Sequence, residues 1–394
     1  MYASSLLESW LEDNCTWMHK ARQGAVCKLV DGLLRGGVAT LTAMGRHIPM
    51  LQAEKHGIKC ADRLLGNRHL SAERLKIYQA LGRWLLADIA QPWVVIDWSD
   101  VRPGQRFLML KAAVPIGGRA VTVYEEVHPL DCYGSPATHL AFLARLKTVV
   151  PSNCRPILIT DAGFRGPWFK AVSALGWDWI GRVRDRVTYR HELNGPCHPV
   201  KSLYAQAATV PRTVGSVWLA KTNSYRCQLH HYHAAPARRR GKQRSKPNGA
   251  RKRRLGREPW VLATSLPLCD WSAQRVTHAY RQRMQIEETF RDLKSPRWGY
   301  GLTYSGSNSV MRLSNLLLLT TLATLVTCVT GLAARAANLA RKFQANTEKQ
   351  RHVLSVFSLG RRLLSRAWKL LSLSDIRNAW RELPSMAAAQ ALTA

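Results

Sequence analysis

Apolar positions recur along this chain in two different rhythms, one helical and one strand-like. Residues 1–75 read as helical and basic. Thr40–Arg46 opens a small helical unit, and Lys55, Lys59 and Arg63 follow at i, i+4, i+8 on one helix face, with Arg68 beyond the turn Leu65–Leu70. A solvated charge stripe gives the same pattern. From residue 93 the rhythm changes. Trp93–Ile96 is a short buried run ending in Asp97, Arg106–Val114 is a second run, and Ala120–Tyr124 is a third after the Gly117-Gly118 turn. Together they predict an antiparallel meander. Ala137–Val150 carries Leu140, Leu143 and Leu146 at helical spacing. Pro156–Thr160 predicts a fourth strand, ended by Asp161-Ala-Gly163, then a helix over Pro167–Leu175 and a strand over Trp177–Val183. Short strand-like runs fill residues 186–265, and from Ser272 the chain is helical almost to its end.

Three antiparallel strands, a helix, a strand, a helix and a strand is the order of a ribonuclease-H-like fold. In that architecture the first and fourth strands lie side by side, which would place Asp97 next to Asp161. The expected fold is therefore α/β, in four parts. A helical DNA-binding domain covers 1–75, and a ribonuclease-H-like catalytic domain covers 76–185 and 266–310. A β-rich insertion with a basic loop covers 186–265. A helical C-terminal region, for dimerisation or DNA contact, covers 311–394.

The segment Tyr280–Lys294 carries the most chemistry. Read as one helix of 3.6 residues per turn, it sets Tyr280, Arg283, Glu287 and Lys294 within an arc of about 60°. Ala279, Ile286, Phe290 and Leu293 form the apolar stripe beside them, and Glu288 and Asp292 point elsewhere. An amphipathic surface helix with salt bridges would look alike. Two strand-associated aspartates elsewhere in the chain change the weight of this stripe and make Glu287 the natural third carboxylate.

Charge sharpens the picture. Lys and Arg number 58 against 25 Asp and Glu, a net +33, and 46% of residues are hydrophobic. A globular chain this cationic calls for a polyanion, and nucleic acid drives such binding by counterion release. Arg238–Arg257 holds eleven Lys or Arg among Gly and Pro and reads as a loop that orders on phosphate. The nine cysteines are odd in number and form no CxxC pair, which argues against a disulfide framework and a zinc ribbon. Cys227, His230, His231 and His233 cluster, but at no common zinc spacing. The N-terminus lacks the pattern of a signal peptide, so a cytoplasmic, nucleoid-associated location is expected. Leu313–Ala333 is uncharged and long enough to cross a bilayer, yet Ser314, Asn315 and five threonines favour a buried core helix over a membrane span.

Three carboxylates suit two Mg²⁺ ions, with Mn²⁺ as substitute, because these cations take hard oxygen ligands. The catalytic and metal-binding set is therefore expected to be Asp97, Asp161 and Glu287, with Arg283 and Lys294 on DNA phosphates.

These residues resemble the insertion-sequence-four family of DDE transposases. Tyr280, Arg283, Glu287 and Lys294 match its Y-(2)-R-(3)-E-(6)-K signature, and Asp97 in Val-Val-Ile-Asp-Trp-Ser-Asp100 and Asp161 in Ile-Thr-Asp-Ala-Gly-Phe164 look like its two aspartate blocks. The likeness extends from about residue 35 to residue 355. It implies a cut-and-paste reaction on double-stranded DNA: nicking at terminal inverted repeats, hairpin formation and opening, and strand transfer to target DNA by a DNA-paired dimer. It also implies that Trp260, in Pro259-Trp-Val-Leu-Ala-Thr264, stacks on a base flipped out at the hairpin step; a core tryptophan in a strand is the plain alternative. Two other classes stay open at this point. One is a structure-specific nuclease on the same fold, and the other is a DNA-binding protein without catalysis.

Overall fold

A computed structural model describes residues 2–49, 53–102, 104, 106–185, 187–234, 258–348 and 350–392. Chain contacts divide it into two compact units, residues 1–154 with 284–393 and residues 155–283. The basic stretch Arg238–Arg257 lies outside the described residues.

The first unit opens with helices α1 (Tyr2–Asn14), α2 (Lys20–Gly36), α3 (Leu41–Arg46), α4 (Glu54–Leu65) and α5 (Arg68–Leu86). Side-chain caps start several of them: Thr40 accepts from the Ala43 amide and Asn67 from the Leu70 amide. The meander follows as β1 (Trp93–Asp100), β2 (Phe107–Ile116) and β3 (Arg119–Pro129), in the order β3-β2-β1, and then α6 (Pro136–Val149). Gly117 and Gly118 take φ of 60° and 87°. A two-residue turn with both angles positive matches the twist of the flanking strands, and only glycine adopts it without strain. β1 runs past Asp97 to Asp100, because pairing with β2 continues through Asp97↔Lys111 and on to Asp100↔Leu108. Asp97 therefore stands within the strand, not at its end as the apolar run suggests.

The unit closes with α9 (Met284–Lys294), α10 (Val310–Ala336), α11 (Ala340–Phe343), α12 (Val356–Arg366) and α13 (Leu373–Leu392). α10 is long and apolar enough to cross a membrane, and its whole apolar stretch is buried inside the protein. Most of its polar groups have partners there, although Ser314 Oγ and Asn315 Oδ1 are buried without one among the described residues. Asn315 donates to the carbonyls of Leu65 and Asn67, and Thr321 donates to Glu125 at 2.5 Å. Thr327 bonds the Tyr300 hydroxyl, while Thr324 and Thr330 donate to carbonyls one turn back. α12 crosses α10 at near-contact of backbones. A Cβ at Gly331 would sit 1.8 Å from the Val356 carbonyl oxygen, and one at Gly360 would sit 1.9 Å from that of Thr327.

The second unit is built on β4 (Ile157–Thr160), α7 (Gly166–Ala174) and β5 (Asp178–Val183), with β4 and β5 parallel. β6 (Thr188–Arg190), β7 (His198–Pro199), β8 (Arg212–Leu219), β9 (Tyr225–Tyr232) and β10 (Trp260–Thr264) extend it in the order β4-β5-β10-β9-β8-β6-β7. β10 pairs with both β5 and β9, so the insertion returns to the sheet that it leaves. Phe169 of α7 stacks on Trp179 of β5 at 4.2 Å. α8 (Ala273–Arg281) completes the unit.

The single helix expected over 280–294 is interrupted. α8 ends at Arg281 and α9 begins at Met284. The Gln282 amide donates to Ala279 and the Arg283 amide to Tyr280, both three residues back, which tightens the last turn and stops the helix. The one-arc alignment of Tyr280, Arg283, Glu287 and Lys294 assumes one continuous helix, whereas Tyr280 and Arg283 fall in the second unit and Glu287 and Lys294 in the first.

Candidate active site

In the first unit, an open cleft of about 570 Å³ lies between β1 and α9. Asp97, Trp98 and Ser99 line it from the strand; Glu287, Phe290, Arg291 and Lys294 line it from the helix. The helix face is set by burial, since Ile286, Phe290 and Leu293 are buried, which leaves Glu287 on the open side. Glu288 and Asp292 are engaged elsewhere. Arg119, at the start of β3, pairs with Asp292 and stands 3.9 Å from Glu288, which also pairs with Arg291. Asp97 Oδ1 accepts the Trp98 amide at 2.8 Å. The Lys294 ammonium donates to Ser99 Oγ at 2.9 Å and to Asp100 Oδ1 at 2.7 Å, so it is already held against β1.

Behind Asp97 runs a row of charge across the meander. Lys111 of β2 pairs with Asp97 of β1 on one side and with Glu125 of β3 on the other, so the three share one face of the sheet. Lys111 is fully buried. Its ammonium stands 2.9 Å from Glu125 Oε2, in an ion pair without hydrogen-bond alignment, and donates to Thr122 Oγ1 at 3.1 Å. Tyr78 donates to Glu125 Oε1 at 2.9 Å. In the sequence this lysine is signalled only as a lone charge inside the apolar run Phe107–Val114.

The second unit holds Asp161, Trp260, Tyr280 and Arg283. Asp161 follows β4, and its Oδ1 accepts the Gly163 amide at 2.8 Å. Tyr280 is buried at the end of α8, with its ring edge-on to Trp260 at 5.0 Å and the Arg283 guanidinium 5.8 Å from its centroid. Burial pushes its phenol above the ordinary range; Arg283 and Arg182 pull it back, and Asp161 adds to the rise. Trp260 is half-buried and also meets Tyr232 at 5.6 Å. Arg182, not anticipated from the sequence, donates to the carbonyls of Glu258 and Pro259 and so anchors the start of β10.

The basic residues near the N-terminus are exposed: Lys55, Lys59 and Arg63 on α4, and Arg68 at the start of α5. Lys59 and Arg63 line a cleft of about 580 Å³ together with Arg22 and His56. Among the described residues, no three His, Cys, Asp or Glu side chains stand together as a metal-binding group.

His230 of β9 is buried, and burial with the neighbouring His231 holds its pKa down at about 4. A folded-state value below the ordinary 6.5 means that the unfolded chain takes up the proton first. Stability is therefore complete above about pH 6.5 and declines as pH falls toward 4. The second unit is expected to lose roughly 2–3 kcal/mol between about pH 7 and about pH 4.5 from this residue. Urea melts of wild type and His230→Asn, compared at the two pH values, test this: an equal acid loss in both proteins rejects His230 as the cause.

A mixed α/β chain with a strongly cationic surface and a carboxylate cleft between strand and helix belongs to the class of proteins that handle nucleic acid. The family of transposase DDE domains matches residues 91–323, and the chain belongs to it. Family membership makes it a DDE-type transposase with DNA as its substrate, from a family that uses divalent metal ions. No curated protein matches the chain.

Proposed function

We propose that the chain is a cut-and-paste transposase of the insertion-sequence-four type, close to that of the tetracycline-resistance transposon ten, with Asp97, Asp161 and Glu287 as its metal-binding carboxylates. The observation that carries this reading is the cleft shared by Asp97 and Glu287, with Lys294 beside them. Hard oxygen donors fit Mg²⁺ or Mn²⁺, and two such ions, when bound, activate the attacking oxygen and stabilise the leaving one. The chain's own groups do the rest. Lys294 exchanges Asp100 for a DNA phosphate, and Arg283 holds a second phosphate. Trp260, already set against Tyr280, receives the base flipped out as the hairpin forms. Lys55, Lys59, Arg63 and Arg68 grip the terminal repeats, and two copies pair the two ends in the bacterial cytoplasm. In each step one oxygen, from water or a 3′-hydroxyl, displaces another at phosphorus, so a single site serves all of them.

The test is to incubate the purified full chain with Mg²⁺, linear DNA carrying the sequences that flank its gene, and a supercoiled target. Nicked, hairpin and joined products are then resolved on denaturing gels. All three products are expected from wild type, and nicked DNA should accumulate ahead of the hairpin with Trp260→Ala. Cutting without joining would make the chain a structure-specific nuclease. Binding without any cutting would make it a DNA-binding protein.

A further inference from the structure

A third cleft of the first unit, of about 650 Å³, is strongly one-sided in charge. It is bounded by the end of α2, the loop after α9, and helices α11 and α12. Arg35, Arg297, Lys342, Arg361, Arg362 and Arg366 line it, with no Asp or Glu among the lining residues. Arg35 pairs with Asp31, whereas the other five form no ion pair with a carboxylate among the described residues. Like charges gathered in a concave, partly desolvated wall repel one another and focus a positive potential.

Local structure holds several of these cations in place without neutralising them. Arg361 donates to the Gly37 carbonyl at 3.1 Å, where α2 ends in a left-handed glycine and its carbonyls point outward. Arg362 donates to the Phe343 carbonyl. Arg297 rides over the ring of Trp298, 4.6 Å from its centroid, and Trp298 is itself 55% exposed. Three positive groups are thus oriented before any ligand arrives, and Lys342 and Arg366 are exposed at the rim.

The loop between the clefts connects them. Ser295 and Pro296 line the Asp97–Glu287 cleft, and the next two residues, Arg297 and Trp298, line this one. The loop is tied back onto α9: the Trp298 amide donates to Ser295 Oγ at 3.0 Å, the Gly299 amide to the Ser295 carbonyl at 2.9 Å, and the Tyr300 amide to the Asp292 carbonyl at 2.9 Å. A strand running out of the carboxylate cleft over this loop meets the cationic wall directly.

We propose that this cleft binds the phosphate backbone of duplex DNA flanking the phosphodiester at the Asp97–Glu287 cleft, with the Ser295–Trp298 loop as the ridge between the two. The proposal rests on the transposase reading above, and its test separates the two. The probe is a fluorescein-labelled duplex of mixed sequence, bound by the full chain and followed by anisotropy across a salt series. The triple variant Arg297→Gln/Lys342→Gln/Arg366→Gln removes three charges from the rim. Lys147→Gln/Lys170→Gln, on the exposed faces of α6 and α7, is the charge control.

Each lost phosphate contact lowers the slope of log K against log salt by about 0.9, so the triple variant is expected to lose about 2–3 from the slope. It should also bind about tenfold or more weakly at moderate salt, with an unchanged melting temperature. A slope and affinity equal to wild type, or a per-charge loss no greater than in the control, would overturn the proposal while cleavage by wild type still stood. A reduced slope in the triple variant would support the cleft even if wild type failed to cut DNA in Mg²⁺, the result that sinks the transposase reading alone.

Discussion

Glu287→Gln protein is expected to bind duplex DNA as tightly as wild type and to cut it about a thousandfold more slowly in Mg²⁺. Glutamine keeps the shape of the side chain and its place on the open side of α9, opposite Asp97, and removes only the charge. On the proposed reading, a divalent cation held there would lose an anionic ligand. If that ligand supports several kcal/mol of transition-state charge stabilisation, about 4 kcal/mol corresponds to about three powers of ten in rate. Binding should hold, because removing a negative charge only lessens repulsion of the phosphates. Glu288→Gln is the internal control: its carboxylate pairs with Arg291 and stands near Arg119, so its loss should change the rate little. Nicking rates of the two variants, measured side by side on one substrate, decide the matter. A Glu287→Gln rate within about tenfold of wild type, or an equal loss in both variants, would remove Glu287 from the metal site.

Lys111→Met is expected to cost about 3–5 kcal/mol of stability. Lys111 and Glu125 are both buried, and taking away the ammonium leaves the carboxylate charged with only the Tyr78, Thr321 and backbone environment to support it. Adding Glu125→Gln should restore much of the loss. The amide oxygen still accepts from Tyr78 and Thr321, and no uncompensated charge remains. Urea unfolding of the wild type, the single variant and the double variant measures all three. The pair would have no such role if the single variant lost less than about 1 kcal/mol, or if the double variant were no better than the single. The same variants are expected to lose cleavage in proportion to the folded fraction.

The element list was largely legible beforehand, for a physical reason. A strand buried on both faces is mostly apolar, as Trp93–Ile96 and Ile157–Ile159 are, and glycine pairs mark turns that most other residues make only with strain, as Gly117-Gly118 does. The buried character of α10 was legible too, since its hydroxyl and amide side chains need partners that a protein core provides and lipid does not. The end of β1 was not legible. Asp97–Asp100 look polar and therefore loop-like, but β2 supplies backbone partners that keep them extended. Nor was the break after Arg281. Residues 280–294 contain no glycine or proline, and their 3.6-residue apolar periodicity favours one helix. The break becomes visible only once Tyr280 is packed into one compact unit and Ile286, Phe290 and Leu293 into another.

Charge, the order of strands and helices, and the residue types at 97, 161 and 287 are properties of the chain read as a string, because they depend on composition and on short-range periodicity. Which acid lines a cleft is decided by contacts between distant segments. Arg119 pairs with Asp292 and approaches Glu288, and Glu287 lines the cleft with Asp97. The buried Lys111–Glu125 pair and the cationic wall of Arg297, Lys342, Arg361, Arg362 and Arg366 arise in the same way. Each draws on residues that no local pattern links, and only the folded chain brings them within reach of one another.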